Sequence, residues 1–201
     1  MSQFALHRGD AVDFLKKLPA GSVNLIVTDP AYESLEKHRA KGTTTRLKMS
    51  DASSNEWFEI FRNDRFPPFF EECYRALAKD SHFYMMCDQE TMFVVKPMAE
   101  AAGFKWKKAL IWEKTNADGS IAIGMGYTWR ASHEVVCYFE KGKRRLNELA
   151  LPDVIRAPRV RGGWPTEKPI PLSNALIRNS SLPGELVVDP FMGSASVGEA
   201  A

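Results

Sequence analysis

The chain has 201 residues, of which 44% are hydrophobic and 26% charged, and a formal net charge of +2. This is the composition of one globular domain, and it excludes general disorder and recognition by bulk charge alone. No run of about 18 apolar residues occurs, so a membrane-spanning helix is not expected.

The elements are predicted in chain order from periodicity and breakers. A short strand at Phe4–His7 is followed by a helix at Asp13–Leu18, and then by Val23–Thr28, an apolar run typical of a buried strand. Pro67–Ala78 reads as a helix with Phe69, Phe70, Cys73, Tyr74 and Leu77 on one face. Ser81–Cys87 is a strand, and Glu90–Ala102 a helix interrupted at Pro97 and closed by Gly103. Phe104–Trp112 and His133–Phe139 are two strands with little helix between them, the pattern of an antiparallel hairpin at one sheet edge. Pro169–Arg178 is a helix, Leu186–Val188 a strand, and Val197–Ala201 the start of a last helix. Continuous apolar strands alternating with helices predict an α/β fold, with a mostly parallel sheet covered by helices on both faces.

Two stretches break the alternation. Residues 33–66 form a connection far longer than the usual strand-to-helix loop of about 2–6 residues, and residues 146–164 are irregular and rich in Pro, Arg and Gly. Both are locally basic. Lys37, Arg39, Lys41, Arg46 and Lys48 stand against Glu33 and Glu36; Lys141, Lys143, Arg144, Arg145, Arg156, Arg159 and Arg161 stand against Glu148 and Asp153. That distribution fits a polyanion-binding face, and equally a solvated loop surface. The opening MSQFALHRGD lacks a basic stretch followed by an apolar one, and Cys73, Cys87 and Cys137 form no CxxC or Cys/His cluster. A reduced cytoplasmic protein without leader, disulfide or metal is expected.

The chemistry is concentrated in two Asp-Pro turns. Thr28-Asp29-Pro30-Ala31-Tyr32 follows a buried strand directly, and ligands of open α/β sheets bind beyond the carboxyl ends of strands. A carboxylate and a carbonyl together accept both hydrogens of an exocyclic amino group, and an aromatic ring stacks on the heterocycle that bears it. The second turn, Val188-Asp189-Pro190-Phe191-Met192-Gly193-Ser194-Ala195-Ser196, ends a strand in a small-residue loop that a ligand can approach closely. Each turn alone is as readily a plain loop.

Together, in this order, they resemble the S-adenosylmethionine-dependent DNA amino-methyltransferases of the β arrangement, in which a [DNS]PP[YF] motif precedes the FxGxG cofactor loop. The likeness extends to LHRGDAVDFLKKL at the start, to YTWRASHEVVCYFEKG, and to Thr166-Glu167-Lys168-Pro169. It implies a Rossmann-like methyltransferase fold over residues 1–201 as a single catalytic domain, with a long loop at 33–66 and a short target-recognition segment at 144–164. It implies Asp29, Pro30 and Tyr32 as the catalytic set, and S-adenosylmethionine held by Asp10, Ala11, Asp29, Lys168, Asp189, Pro190, Phe191, Gly193 and Ser194, with no metal. Asp at position 29 favours adenine N6 over cytosine N4.

Duplex DNA, with the target base flipped out, is the implied substrate, and a second copy of the chain is a candidate partner. Arg39, Lys41, Arg46, Arg130, Arg144, Arg159 and Arg161 are the expected DNA contacts. His133, at a strand start, reads as structural.

Three departures from the family pattern stand out. Ala31 replaces the second proline, and Ala195 replaces the second glycine, where a positive φ would cost about 1 kcal/mol. The sequence stops at Ala201, inside the last helix, whereas in the family a further strand carries the carboxylate for the cofactor ribose. The resemblance therefore implies a shortened C-terminal part. The competing readings are methylation of cytosine N4 or of RNA adenine, and a DNA-binding module or inactive subunit without a cofactor ribose site.

Overall fold

The computed structural model describes residues 4–35, 59–124, 127–161 and 166–201. Its sheet contains β1 (Val23–Thr28), β2 (Leu77–Cys87), β3 (Lys105–Thr115), β4 (His133–Lys141), β5 (Val154–Pro158) and β6 (Val187–Val188), in the order β5-β3-β4-β2-β1-β6. Only β4 runs against its neighbours; β1 is parallel to β2 and β6, and β3 to β5. The helices are α1 (Ala11–Lys17), α2 (Phe66–Ala76), α3 (Gln89–Ala101), α4 (Ile170–Ser180) and α5 (Ser196–Ala200). Among the described residues, no helix is long and apolar enough to cross a membrane.

The expected α/β architecture is present, with three corrections. The β3–β4 hairpin lies one strand in from the edge, because β5 forms inside the stretch expected to be irregular and pairs with β3 from Ile111↔Val154 to Thr115↔Pro158. Leu77 is not on the α2 face but opens β2, which begins well before Ser81. Phe4–His7 forms no strand: it pairs with none of the six strands among the described residues, and Phe4 is 83% exposed.

Period-2 alternation divides the sheet between two cores. Ile26, Phe83, Met85, Cys137 and Phe139 face the first core, under α1–α3. Leu25, Val27, Tyr84, Met86, Val136 and Tyr138 face the second, which contains α4 residues Leu172 and Leu176. The first core is aromatic: Phe66, Phe69 and Phe70 on α2 close over Phe83 and Phe139, with ring centroids 5.6–6.4 Å apart for the pairs Phe69–Phe70, Phe70–Phe83 and Phe70–Phe139. Pro67 and Pro68 suit the first turn of α2, where an amide would lack a partner anyway. Helix ends are closed by basic side chains. Arg75 donates to Leu15 O and Leu18 O at the end of α1, and Lys141 donates to Tyr74 O and Leu77 O at the end of α2.

The second core holds a polar chain. His82, fully buried on β2, has Nδ1 2.8 Å from Ser180 Oγ, and Nε2 3.1 Å from Arg144 O and 2.9 Å from Tyr138 Oη. A carbonyl only accepts, so Nε2 carries the proton, and Nδ1 accepts from Ser180, which in turn accepts from Tyr84 Oη at 2.7 Å. The imidazole is neutral, its pKa pushed down to about 4 by burial. This chain ties the end of α4 and the segment after β4 to the middle of the sheet.

A His with a depressed folded pKa stabilises the fold in its neutral form, and that stability is lost as pH falls below the unfolded value of 6.5. The stability advantage of wild type over His82→Gln should therefore shrink by about 3 kcal/mol between pH 6.5 and pH 4. Urea unfolding of both proteins across that range measures it; a constant difference would show that His82 does not titrate there.

Candidate active site

The carboxyl ends of β1, β2, β3, β5 and β6 and the start of β4 lie at one end of the sheet. Both Asp-Pro turns are there, although they are at opposite ends of the chain. Thr28, the last residue of β1, donates from Oγ1 to Asp189 Oδ1 at 2.8 Å, and Phe191 N donates to the same oxygen at 3.0 Å. Asp189 thus fastens β6 to β1 and shapes the loop that follows. Burial raises its pKa to about 7, against these two donors.

Asp29 is not free. Lys168 Nζ contacts Asp29 Oδ2 and lies 3.5 Å from Glu134 Oε2, while Lys114 Nζ lies 2.5 Å from Glu134 Oε1. Four charges, from the turn after β1, from β3, from β4 and from the segment before α4, alternate in sign. Lys168, only 10% exposed, is a buried ammonium. Burial works against its charge, but Asp29 and Glu134 outweigh that and raise its pKa. Burial likewise raises the pKa of Asp29, with Lys168 pulling the other way. For Glu134, burial is overcome by Lys168 and Lys114, which hold its carboxyl below the usual range. Lys168 was expected at the cofactor; here it is directed at the carboxylate of the other motif. Its backbone approach is unusual: Thr166, a β-branched residue, has φ +57°.

Pro30 is buried, and Tyr32 packs into the aromatic core instead of standing in the open. Burial, followed by the Glu134 and Asp29 carboxylates, raises the Tyr32 hydroxyl pKa, so it remains protonated. Tyr32 bridges Phe61, and Phe61 N donates to Ala31 O at 2.7 Å. Ser34 Oγ donates to Asp88 Oδ2 at 2.6 Å, and Asp88 caps α3 through Thr91 N at 2.7 Å. The long connection after the turn therefore leaves and returns at one pinched point beside Asp29.

Asp10 caps α1, accepting from Val12 N at 2.9 Å and Asp13 N at 3.0 Å on Oδ1, and pairs with Arg65 through Oδ2. The Arg65 hydrogen bond is the main reason its pKa is lowered. Ala11 is buried behind it. Arg65 also covers the ring of Phe61 at 4.8 Å, and Phe61 meets Phe191 edge-on at 4.9 Å. Asp10 and the β6 loop are thus joined through Arg65, Phe61 and Phe191. Pro190 is half-buried; Gly193 is exposed and Ser194 half-buried in the loop. Gly193 has φ +50°, and nothing would stand nearer than 4.0 Å to a Cβ there.

Of the expected DNA contacts, Arg39, Lys41 and Arg46 lie outside the described residues. Arg159 and Arg161 are brought together at the site end, their NH2 groups 3.4 Å and 3.1 Å from Asn116 Oδ1. Arg130 is exposed on the β3–β4 loop. Arg144 is elsewhere: it follows the far end of β4 and holds Glu185 bidentately at 3.2 and 2.8 Å. Arg156 pairs with Glu113 at 2.5 Å. Sequence reading missed Glu134, Lys114 and Arg65. Glu134 stands at the site end of a strand whose middle, VVCYF, is apolar, which is a weak signal; Lys114 lies on a strand rich in lysine, and nothing local marks it or Arg65.

Ala195 has φ +67° and ψ +22°, the left-handed conformation that was the condition for strain at this position. Ala195→Gly should stabilise the protein by about 1 kcal/mol and raise Tm by about 2–4 °C. Thermal unfolding by calorimetry tests this; an unchanged or lower Tm would mean the loop carries no strain.

The DNA methylase family profile (N6_N4_Mtase) matches residues 23–160 and 150–201. The DNA adenine methyltransferase YhdJ of Escherichia coli (strain K12) is 27% identical over 226 residues, covering 96% of this chain and 72% of that protein. Among solved structures, the M1.HpyAVI–SAM complex aligns with a TM-score of 0.62 at 19% identity, over 95% of this chain and 84% of that one. The cytosine-N4-specific PvuII DNA methyltransferase aligns with a TM-score of 0.66 at 18% identity, over 96% and 76%. Fold, motif order and profile agree: this chain belongs to the DNA methylase family whose members methylate the exocyclic N6 of adenine or N4 of cytosine.

Proposed function

We propose that this chain transfers a methyl group from S-adenosylmethionine to N6 of adenine in duplex DNA, with the target base turned out of the helix, and that residues 1–201 act as one catalytic domain. The observation that carries the reading is the placement of Asp29-Pro30 at the end of β1, directly beside the Asp189–Ser194 loop at the end of β6. Support for adenine comes from Asp at position 29 and from the adenine methyltransferase relative.

The residues present suit the cofactor. Gly193 leaves space at the loop. Asp10, with three donors already, has about one of roughly four carboxylate acceptor sites left for an amino group. Asp189, Phe191 and Ser194 would line the same side. When bound, S-adenosylmethionine supplies a methyl group on a positively charged sulfur, whose leaving group is a neutral thioether.

The chain's own part is positioning. The Asp29 carboxylate and the Pro30 carbonyl each accept one amino hydrogen, which aims the nitrogen lone pair without a strong base. The negative charge of Asp29 stabilises the positive charge growing on nitrogen, and once the methyl is in place the nitrogen sheds one of its two protons along its hydrogen bond to Asp29. Lys168 draws the Asp29 pKa down against burial, and Glu134 with Lys114 holds Lys168 in place. Tyr32, packed against the strand end, sets one wall of the base site. Arg130, Arg159 and Arg161 would take phosphates.

Cytosine N4 is the second reading, favoured by the likeness to the cytosine-N4-specific fold. The same carboxylate and carbonyl would serve either amino group. Labelled S-adenosylmethionine incubated with unmethylated DNA, followed by nucleoside analysis, should give N6-methyladenine, and Asp29→Ala should reduce it by at least about 100-fold. Label as N4-methylcytosine supports the second reading; no label, with DNA still bound, supports a binding module.

Removing Lys168 removes the group that opposes the raised pKa of Asp29. In Lys168→Gln the acid limb of the rate–pH profile should therefore move up by about one to three pH units. An unmoved limb would mean that Asp29 does not act as the anion.

A further inference from the structure

The β3–β4 loop carries a group that the site above does not use. Tyr127 and Trp129 are fully exposed, with Arg130 next to them and Ile121 and Ile123 half out on the same loop. Scattered exposed hydrophobics are ordinary, but two fully exposed aromatics within three residues are not.

The loop is held at its base. Asn116 N donates to Ser120 O and Ala122 N to Lys114 O, both at 2.8 Å. Gly124 N donates to Ala131 O at 2.8 Å, an approach so close that a Cβ on Gly124 would stand 3.0 Å from that oxygen. Beyond this pinch, the tip projects from the sheet end that carries Asp29, because β3 ends and β4 begins there. Asn116, at the root of the loop, also gathers the Arg159 and Arg161 guanidiniums. Aromatic rings and cations thus share one rim of the site. Stacking on bases and neutralising phosphates need this combination.

We propose that Tyr127 and Trp129 are a stacking wedge: they enter the base stack of the target duplex and occupy the space that the extruded base leaves, with Arg130 on the adjoining phosphate. This rests on the reading that the base is turned out of duplex DNA. An unpaired gap in the stack is costly, and an aromatic face fills it without regard to sequence.

The test uses the whole chain and unmethylated duplex DNA, with two readouts. Tryptophan emission should be quenched on titration with the duplex in wild type, and most of that quench should vanish in Trp129→Phe. Methyl transfer to the duplex should fall about 5–150-fold in Trp129→Ala and be largely restored in Trp129→Phe, with S-adenosylmethionine affinity unchanged. Equal quenching in wild type and Trp129→Phe, or a wild-type rate in Trp129→Ala, overturns the proposal. Quenching that depends on Trp129 without any methyl transfer would remove the catalytic reading and leave the wedge standing.

Discussion

A lysine ammonium almost sealed from water must be neutralised where it lies, and Lys168 meets that need with two carboxylates, one in the turn after β1 and one on β4. Much of the site follows from this. Asp29 is fixed at the end of β1, Glu134 at the start of β4 is fixed in turn by Lys114 from β3, and the segment before α4 is drawn over the sheet end. Buried ion pairs are poor stabilisers overall, because desolvation cancels much of the attraction. Their value here is in geometry and charge: a carboxylate whose pKa burial raises is kept beside a cation that pulls it down. Thr28 and Asp189 perform the matching task for the other half, pinning β6 and its loop to the same strand.

The fold was largely legible because its signals are local. VNLIVT is typical of a buried strand, Pro67-Pro68 suits a helix start, and the alternation of apolar runs with amphipathic stretches indicated the layers. What escaped depends on neighbours. β5 has a weak pattern of its own, VIRAP, and becomes a strand by pairing with β3. Phe4–His7 has the composition of a strand and no partner among the described residues to make it one.

The site was legible at its two motifs and not in its wiring. Asp29 and Asp189 were readable from motif and spacing, whereas position 195 was readable only as a place where a positive φ would strain an alanine. The link from Lys168 to Asp29, 139 residues apart, was not, because the family pattern assigned Lys168 to the cofactor. Basic composition was the least reliable guide. Lys141, Arg144 and Arg156 belong to one basic stretch, yet they cap a helix and pair with Glu185 and Glu113.

The Tyr32↔Phe61 bridge, closed by the Phe61 N to Ala31 O hydrogen bond, makes a neck. Just inside the neck, Ser34 binds Asp88 and Leu35 packs on the first core, so the connection is anchored to the sheet end where it departs. Closure entropy grows by only about 0.6 kcal/mol for each doubling of loop length. A change in the length of chain between these anchors would therefore cost the scaffold little in closure entropy. The neck thus lets the chain vary in length at this point while Asp29 and its ion pairs stay where the strands put them.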